Sequence, residues 1–132
     1  MKIVICGAGL VGSAIASHLS EEHNDVTVID ASAENIQRIT DHYDVHGVVG
    51  VASHPDRLAE AGRRDAELLI AVTESDEVNM VACQISHSIF NTPVKIARIR
   101  NNAYLDPAYA ALYGDGNLPI DHIISPEAEV SA

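Results

Sequence analysis

The feature that most constrains the fold is a glycine-rich turn near the start of the chain, between an apolar run and a helical pattern. Lys2 to Cys6 (KIVIC) is a β-branched run of the kind found in strands buried on both faces. Gly7, Gly9 and Gly12 follow it, and apolar residues then recur at helical spacing. This order predicts a strand, a tight turn and a helix, which together begin a βαβ unit.

Strand and helix patterns alternate through the rest of the chain. The predicted strands cover residues 2–6, 25–30, 46–51, 67–73, 94–100 and 121–124. The predicted helices cover residues 11–20, 34–43, 55–62, 76–89 and, more weakly, 103–112. Six alternations predict an α/β fold, a Rossmann-like doubly wound parallel sheet of six strands in the order 3-2-1-4-5-6, with helices on both faces.

Length and charge narrow the class of protein. The 132 residues fit one domain, 1–132, and leave no room for a separate catalytic domain beside a cofactor domain. Eight Lys and Arg against 19 Asp and Glu give a net charge of −11. Nucleic acid and anionic lipid both need a basic surface, so neither is expected as a direct partner. Since apolar runs stay well short of the ~20 residues that span a bilayer, no direct membrane insertion is expected.

A ligand site is expected at the carboxyl ends of the strands, where the strand order reverses. In the pattern G-x-G-x-x-G, Gly7 permits the tight turn, Gly9 lets a pyrophosphate approach the backbone, and Gly12 lets the helix pack on the strand. Asp30 follows Gly12 by eighteen residues and ends the second strand. Its carboxylate would accept hydrogen bonds from ribose hydroxyls and repel a 2′-phosphate, which favours NAD(H) or adenine nucleotides over NADP. The alternative is that Asp30 is an ordinary turn residue.

Two further positions are expected at the same edge. Arg98 lies near the end of an otherwise apolar strand, where a guanidinium needs a partner. That partner is either a nucleotide phosphate or a neighbouring carboxylate. Thr73 and Glu74 follow the fourth strand and either contact the ligand or lead into the next helix. Ser75 is predicted to cap that helix, and the acids that follow are interpreted as helix stabilisers.

The sequence shows no pattern typical of catalysis. No Ser, Cys or Lys stands with a base and an orienting acid, and metal-binding motifs such as H-E-x-x-H or C-x-x-C are absent. Cys6 and Cys83 are predicted to be buried, reduced thiols, and most of the seven histidines to lie on the surface. We therefore expect a binding domain and not an enzyme.

Several segments together resemble one family of nucleotide-binding domains. They are KIVICGAGLVGSAIASHL, VTVID, VGVASHPDRLAEAG, LLIAVTESDEVNMVACQIS, KIARIR and HIISPE, and they cover essentially the whole chain. In these segments the chain is similar to the TrkA-N domains, also called RCK or KTN, of Trk potassium-uptake regulators. The resemblance implies nucleotide contacts at Gly7, Ala8, Gly9, Leu10, Val11, Asp30, Thr73, Glu74 and Arg98, and the glycine motif adds Gly12 to the predicted site.

The resemblance also implies a function and partners. It implies a cytoplasmic regulatory subunit that binds NAD(H) or ATP/ADP without chemical turnover and gates a potassium-translocating membrane subunit of the Trk type. Such a subunit would be peripheral on the inner face of the membrane and homo-oligomeric, as a dimer or tetramer. In some relatives the acid of the ISPE segment helps to hold a cation, which makes Glu127 a candidate metal ligand. Family members usually continue beyond this segment, so residues 1–132 are expected to be the N-terminal part of a longer protein or a stand-alone domain.

Two alternatives stay open at this point. One is a small NAD-dependent oxidoreductase that takes its substrate with a partner chain. The other is a redox-sensing Rossmann module that acts on a partner protein. Steady turnover of NADH would favour the first alternative over a regulator.

Overall fold

Six parallel strands and the helices between them make up the fold. The computed structural model describes residues 1–62 and 65–125. The strands are β1 (Lys2–Cys6), β2 (Asp25–Asp30), β3 (His46–Val49), β4 (Leu68–Ala71), β5 (Val94–Arg98) and β6 (His122–Ile124). The helices are α1 (Leu10–Glu21), α2 (Ala33–His42), α3 (Pro55–Gly62) and α4 (Asp76–Ser88). The strand order β3-β2-β1-β4-β5-β6 and the parallel pairing confirm the predicted fold class.

The central strand β1 explains why both faces of the sheet are covered. Val4 and Cys6 belong to the apolar cluster on one face, and Ile3 and Ile5 to the cluster on the other. All four are at most 2% exposed. Burying an aliphatic side chain of this size stabilises the fold by about 1.5–3 kcal/mol, so a run with no polar alternation is the sequence that suits this position.

Serine side chains fix the starts of two helices. The Ser32 hydroxyl accepts the Asn35 N–H at the start of α2, and the Ser75 hydroxyl accepts the Val78 N–H at the start of α4. The second cap confirms the prediction for Ser75. By contrast, no side chain among the described residues caps α1, whose N-cap is Gly9. The first N–H groups of α1 are therefore left without a side-chain partner.

The predicted inward face of α4 is wrong at two positions. The apolar spacing predicts that Val78, Val81, Ala82, Ile85 and Ile89 face the core. Ala82 is buried, and Val78 and Ile85 pack against the core, but Val81 and Ile89 are 43% and 52% exposed. The buried positions of α4 are largely small or polar, namely Asp76, Asn79, Met80, Ala82, Cys83 and Ser86. Small side chains let the helix lie close to the sheet, and two of the polar ones, Asp76 and Asn79, find hydrogen-bond partners in the loops beneath.

The single helix predicted over residues 103–112 is also wrong. Two short 3₁₀ helices, Asn102–Leu105 and Pro107–Leu112, occupy this region. Proline lacks an N–H and disfavours helical geometry in the residue before it, and Asp106 is accordingly extended. The Asp106 side chain then accepts the Ala108 N–H and caps the start of the second 3₁₀ helix.

Other predictions about individual side chains are confirmed. Cys6 and Cys83 are both free and buried. Burial raises the pKa of both thiols, that of Cys83 to about 12, which keeps them protonated. All seven histidines are exposed. Within the described residues, no helix combines the length and the apolar character that a membrane crossing requires.

Candidate functional site

The largest group of predicted site residues lines one cavity of about 430 Å³ at the carboxyl ends of the strands. It lies between β1 and β4, the point at which the strand order reverses: β2 and β3 follow on one side of β1, and β5 and β6 follow on the other side of β4. Eight of the ten predicted residues line it: Gly7, Gly9, Leu10, Val11, Asp30, Thr73, Glu74 and Arg98. Ala8 and Gly12 are buried beside the cavity instead of lining it. Asn35, Val72 and Arg100 complete its walls.

The three glycines of the turn meet three different spatial demands. Gly7 has a φ of +112°, and a Cβ there would lie 2.9 Å from the Val72 carbonyl oxygen. A Cβ on Gly12 would overlap the Gly7 carbonyl oxygen, so only glycine lets α1 start this close to β1. At Gly9, no described heavy atom beyond the neighbouring residues lies within 4 Å of an added Cβ. No described residue fills the space beside Gly9, and Gly9 itself lines the cavity.

The start of α1 gives this cavity a positive character. Leu10 and Val11 form the first turn of α1 and line the cavity. Free N–H groups in a first turn and the helix dipole both attract anions. Two guanidinium groups, Arg98 and Arg100, face the same space, as do the carboxylates of Asp30 and Glu74. The site thus combines a place for an anion with acceptors for hydroxyl groups, on a chain whose net charge is −11.

Asp30 is both a turn residue and a wall of the cavity. Its Oδ1 accepts the Ala8 N–H at 2.9 Å, which ties the glycine turn to the end of β2. Its Oδ2 accepts the Ser32 N–H at 2.8 Å and lies 3.4 Å from the Asn35 Nδ2 donor. A carboxylate offers about four lone-pair sites, so a ligand hydroxyl can still be accepted. Asn35 was not predicted, because its position one turn into α2 carries no motif.

Arg98 is buried, and part of its guanidinium group has no partner. The residue is 7% exposed, and Nη2 donates to the carbonyl oxygens of Val72 and Thr73, both at 2.9 Å. No ion pair with a carboxylate is found for it among the described residues, so the neighbouring-carboxylate alternative is wrong there. Nε is buried without any hydrogen-bond partner in the described structure. Burial, and next Arg100, lower the pKa of Arg98, while Glu74 and Asp76 act in the opposite direction.

The polar residues at the start of α4 do more than stabilise a helix. Asp76 is 7% exposed, and its two carboxylate oxygens accept the N–H groups of Arg100 and Asn101 at 2.9 and 2.8 Å. Asn79 is fully buried and bonds to Thr73 and to the carbonyl oxygen of Arg98. The interpretation of Asp76 as a helix stabiliser is therefore incomplete, since Asp76 and Asn79 both fasten the loops that follow β4 and β5.

A second, mainly apolar cavity of about 240 Å³ adjoins the first one. The two cavities share Asp30, Thr73 and Glu74. The remaining walls of the smaller one are mostly apolar: Ile29, Ala31, Val51, Ala52, Ser75 and Val78. This role was not predicted for Val51 and Ala52, because the third strand was predicted to run to Val51 and no motif marks Ala52.

In the walls of both cavities, the described groups suited to acid–base or nucleophilic chemistry are carboxylates and hydroxyl groups. Of the described residues that line them, none is His, Cys, Lys or Tyr. Across residues 1–62 and 65–125, no three His, Cys, Asp or Glu side chains are placed to hold a metal ion. The candidate metal ligand Glu127 lies outside the described residues.

A separate depression of about 760 Å³ lies at the opposite, amino end of the strands. One wall is Lys95, which is 4% exposed and places Nζ 3.3 Å from the Asp121 carboxylate. Burial raises the pKa of Asp121, but hydrogen bonds from the backbone N–H and the side chain of Lys95 lower this pKa by a larger amount. The net result is a carboxyl pKa below its ordinary value.

The chain matches the TrkA-N domain model over residues 3–126. It is 58% identical over 130 residues to the Trk system potassium uptake protein TrkA of Azorhizobium caulinodans. The aligned residues make up 98% of this chain and 28% of that relative. This chain thus spans less than a third of the length of that relative.

Two solved structures share the fold. The TrkA-N domain of the inner membrane protein ybaL from Escherichia coli superposes with a TM-score of 0.79 at 19% identity, covering 98% of this chain and 90% of that one. The GsuK channel bound to NAD superposes with a TM-score of 0.73 at 17% identity, covering 93% of this chain and 21% of that one. At these identities the likeness concerns the fold alone.

Proposed function

This chain belongs to the TrkA-N domain family, and on that premise we propose that it is a nucleotide-sensing regulatory domain of a potassium uptake system. Its ligand is NAD(H) or ATP/ADP, held in the cavity at the carboxyl ends of the strands. The observation that carries the proposal is Arg98, a buried residue on the wall of a cavity that Gly9 also lines, whose guanidinium forms no ion pair with a carboxylate among the described residues. A guanidinium in this setting suits an anionic ligand in the cavity.

The residues present fit an adenine nucleotide. Arg98 and the first N–H groups of α1 would hold its phosphates, and Gly9 leaves the space in which a phosphate can approach the backbone. Asp30 would accept from the ribose hydroxyls. The adjoining apolar cavity, with Ile29 and Val51 in its wall, offers a surface for the base.

The charge of Asp30 favours nucleotides with a free 2′-hydroxyl. Both of its oxygens already accept backbone N–H groups, which fixes the carboxylate at the junction of the two cavities. A 2′-phosphate at this junction would meet a fixed negative charge. NAD(H), ATP and ADP are therefore expected to bind more tightly than NADP.

The potassium system enters the proposal through the relatives. The curated relative is named as a potassium uptake protein, and the GsuK structure that shares the fold is a channel bound to NAD. We propose that this chain, as a homodimer or homotetramer, acts in the cytoplasm on a potassium-translocating membrane subunit of the Trk type. A nucleotide can gate such a subunit only if it binds two arrangements of the domains with different affinity.

The proposal includes no chemical turnover. The described residues around both cavities supply guanidinium, carboxylate, hydroxyl and amide groups but no imidazole, thiol or amine that could serve a hydride or acyl transfer. The test is incubation of the purified chain with NADH and candidate electron acceptors. Binding with no loss of NADH absorbance supports the regulator, and steady oxidation above the rate of a heat-denatured control would establish an oxidoreductase instead.

A transport experiment tests the regulatory part. The corresponding segment of the Azorhizobium relative would be replaced by this chain in a strain that depends on Trk-type uptake, and rubidium uptake would be measured as a tracer of potassium. We expect uptake with the wild-type segment and a loss with Gly9→Ala, which leaves the fold intact but fills the ligand space. Equal uptake with both segments would contradict control by the nucleotide.

A further inference from the structure

We propose that Asn79 is a positioning residue of the nucleotide site: it does not line the cavity, yet it holds Thr73 and Arg98 in the arrangement that presents the guanidinium to a phosphate. The inference rests on the proposed function and adds a residue to it. Nothing in the motif of three glycines and an acid requires a polar side chain at this point of α4.

Asn79 uses its whole side-chain amide on two loop ends. It is fully buried, and its Oδ1 accepts both the Thr73 N–H at 2.9 Å and the Thr73 hydroxyl at 2.7 Å. Its Nδ2 donates to the carbonyl oxygens of Thr73 at 3.2 Å and of Arg98 at 2.8 Å. One side chain therefore joins Thr73, in the loop after β4, to Arg98, the last residue of β5.

Arg98 is bound to the same loop from its other end. Its Nη2 donates to the carbonyl oxygen of Thr73, which also receives the Nδ2 of Asn79. The backbone of Arg98 is thus held by Asn79, and its guanidinium is held by a carbonyl group that Asn79 also holds. This closed set of hydrogen bonds, which we call the Asn79 network, leaves Nε as the buried donor without a partner in the described structure.

Burial of the polar Asn79 amide costs free energy that an apolar core side chain would not cost. A buried amide is expensive unless all its polar atoms are paired, and an apolar side chain of similar volume would fill the same space. Because the amide is satisfied only when Thr73 and Arg98 keep their present separation, it specifies that separation. Without it, the loop after β4 loses three hydrogen bonds to α4, and the carbonyl group that orients Nη2 is free to shift.

The test compares ligands that differ only in phosphate. The dissociation constants of ADP and adenosine would be measured by titration calorimetry, and the quantity of interest is the ratio of adenosine to ADP. In Asn79→Ala we expect this ratio to fall at least about ten-fold, the size of one charge-assisted hydrogen bond, while adenosine affinity changes by less than about two-fold. Asn79→Ser, which keeps a hydroxyl in the core, is the second variant if the alanine variant does not fold.

The matched control is Met80→Ala on the same helix. Met80 is 7% exposed, so its truncation destabilises the fold without touching the Asn79 network. The ratio should stay within about two-fold of the wild type in this variant. A lower ratio in Met80→Ala as well would mean that general destabilisation, and not positioning, explains the effect.

A double variant tests whether Asn79 acts through Arg98. In an Arg98→Ala background, Asn79→Ala should change the ratio by less than about two-fold, because the guanidinium that it positions is gone. Full multiplication of the two effects would overturn the inference, as would a wild-type ratio in both Asn79 variants. A wild-type chain that binds ADP no better than adenosine would overturn the proposed phosphate site itself, and the inference with it.

Discussion

Alanine at Gly9 and alanine at Gly12 should have opposite consequences, although the two glycines are three residues apart. Gly9 has extended backbone angles (φ −77°, ψ −159°) that any residue adopts, and an added Cβ meets no described atom within 4 Å beyond its neighbours. The gain from a less flexible unfolded chain and the poorer N-cap nearly cancel, so the free energy of unfolding should change by less than about 1 kcal/mol. A Cβ on Gly12 overlaps the Gly7 carbonyl oxygen, which is backbone and cannot move aside. We expect a loss of about 3 kcal/mol or more.

Among molecules that are still folded, Gly9→Ala should weaken ligand binding more than Gly12→Ala does. The methyl group of Gly9→Ala occupies the space over the turn, so ADP and NADH should bind at least about ten-fold more weakly, equivalent to about 1.4 kcal/mol. Urea denaturation gives the stability of each variant, and titration calorimetry gives the affinities. Wild-type affinity in Gly9→Ala would refute the assignment of this space to a ligand. Equal destabilisation by the two substitutions would refute the packing argument.

Further outcomes are expected elsewhere in the chain. Asp30→Ala leaves the N–H groups of Ala8 and Ser32 without their acceptor. We therefore expect the free energy of unfolding in urea to fall by about 1–3 kcal/mol, and ADP and NADH to bind more weakly. Unchanged stability and affinity would count against both roles of Asp30. Ser32→Ala and Ser75→Ala should each cost about 1 kcal/mol as lost helix caps, and a cost near zero for either would contradict the capping geometry. The pKa of Asp121 is lowered in the folded state, so the unfolded chain binds the extra proton first and stability falls as pH drops below about 4. Asp121→Asn should show a flatter dependence in this range, and parallel curves for the two proteins would contradict the ion pair with Lys95.

The fold could be predicted largely because its information is local. β1, β2 and α3 have the predicted ends, since an uninterrupted apolar run, a β-branched alternation and a helix between proline and glycine each depend on neighbouring residues. The ends of β4 and β5 were predicted too far along the chain. Thr73 leaves the sheet because its N–H bonds to Asn79, a residue on another element, which no local pattern reports.

The candidate site divides in the same way. The three glycines and Asp30 follow from spacing along the sequence, and the structure brings Gly7, Gly9 and Asp30 to one cavity with Arg98. The roles of Asp76 and Asn79 depend on which residues of α4 lie against the sheet, and apolar spacing does not identify polar residues at such positions. A helix that packs through small residues and two polar anchors gives a weak apolar signal on its buried side.

The measurement that tests the account most directly is the melting temperature of the wild-type chain with ADP, ATP, NAD⁺ and NADH, each beside the Gly9→Ala variant. A ligand at a hundred times its dissociation constant stabilises the native state by about 2.7 kcal/mol, which corresponds to a rise on the order of 10 °C in a domain of this size. We expect such a rise with at least one of the four nucleotides in the wild type and a much smaller one in Gly9→Ala. No rise with any of the four, or equal rises in both proteins, would contradict nucleotide binding at the glycine turn.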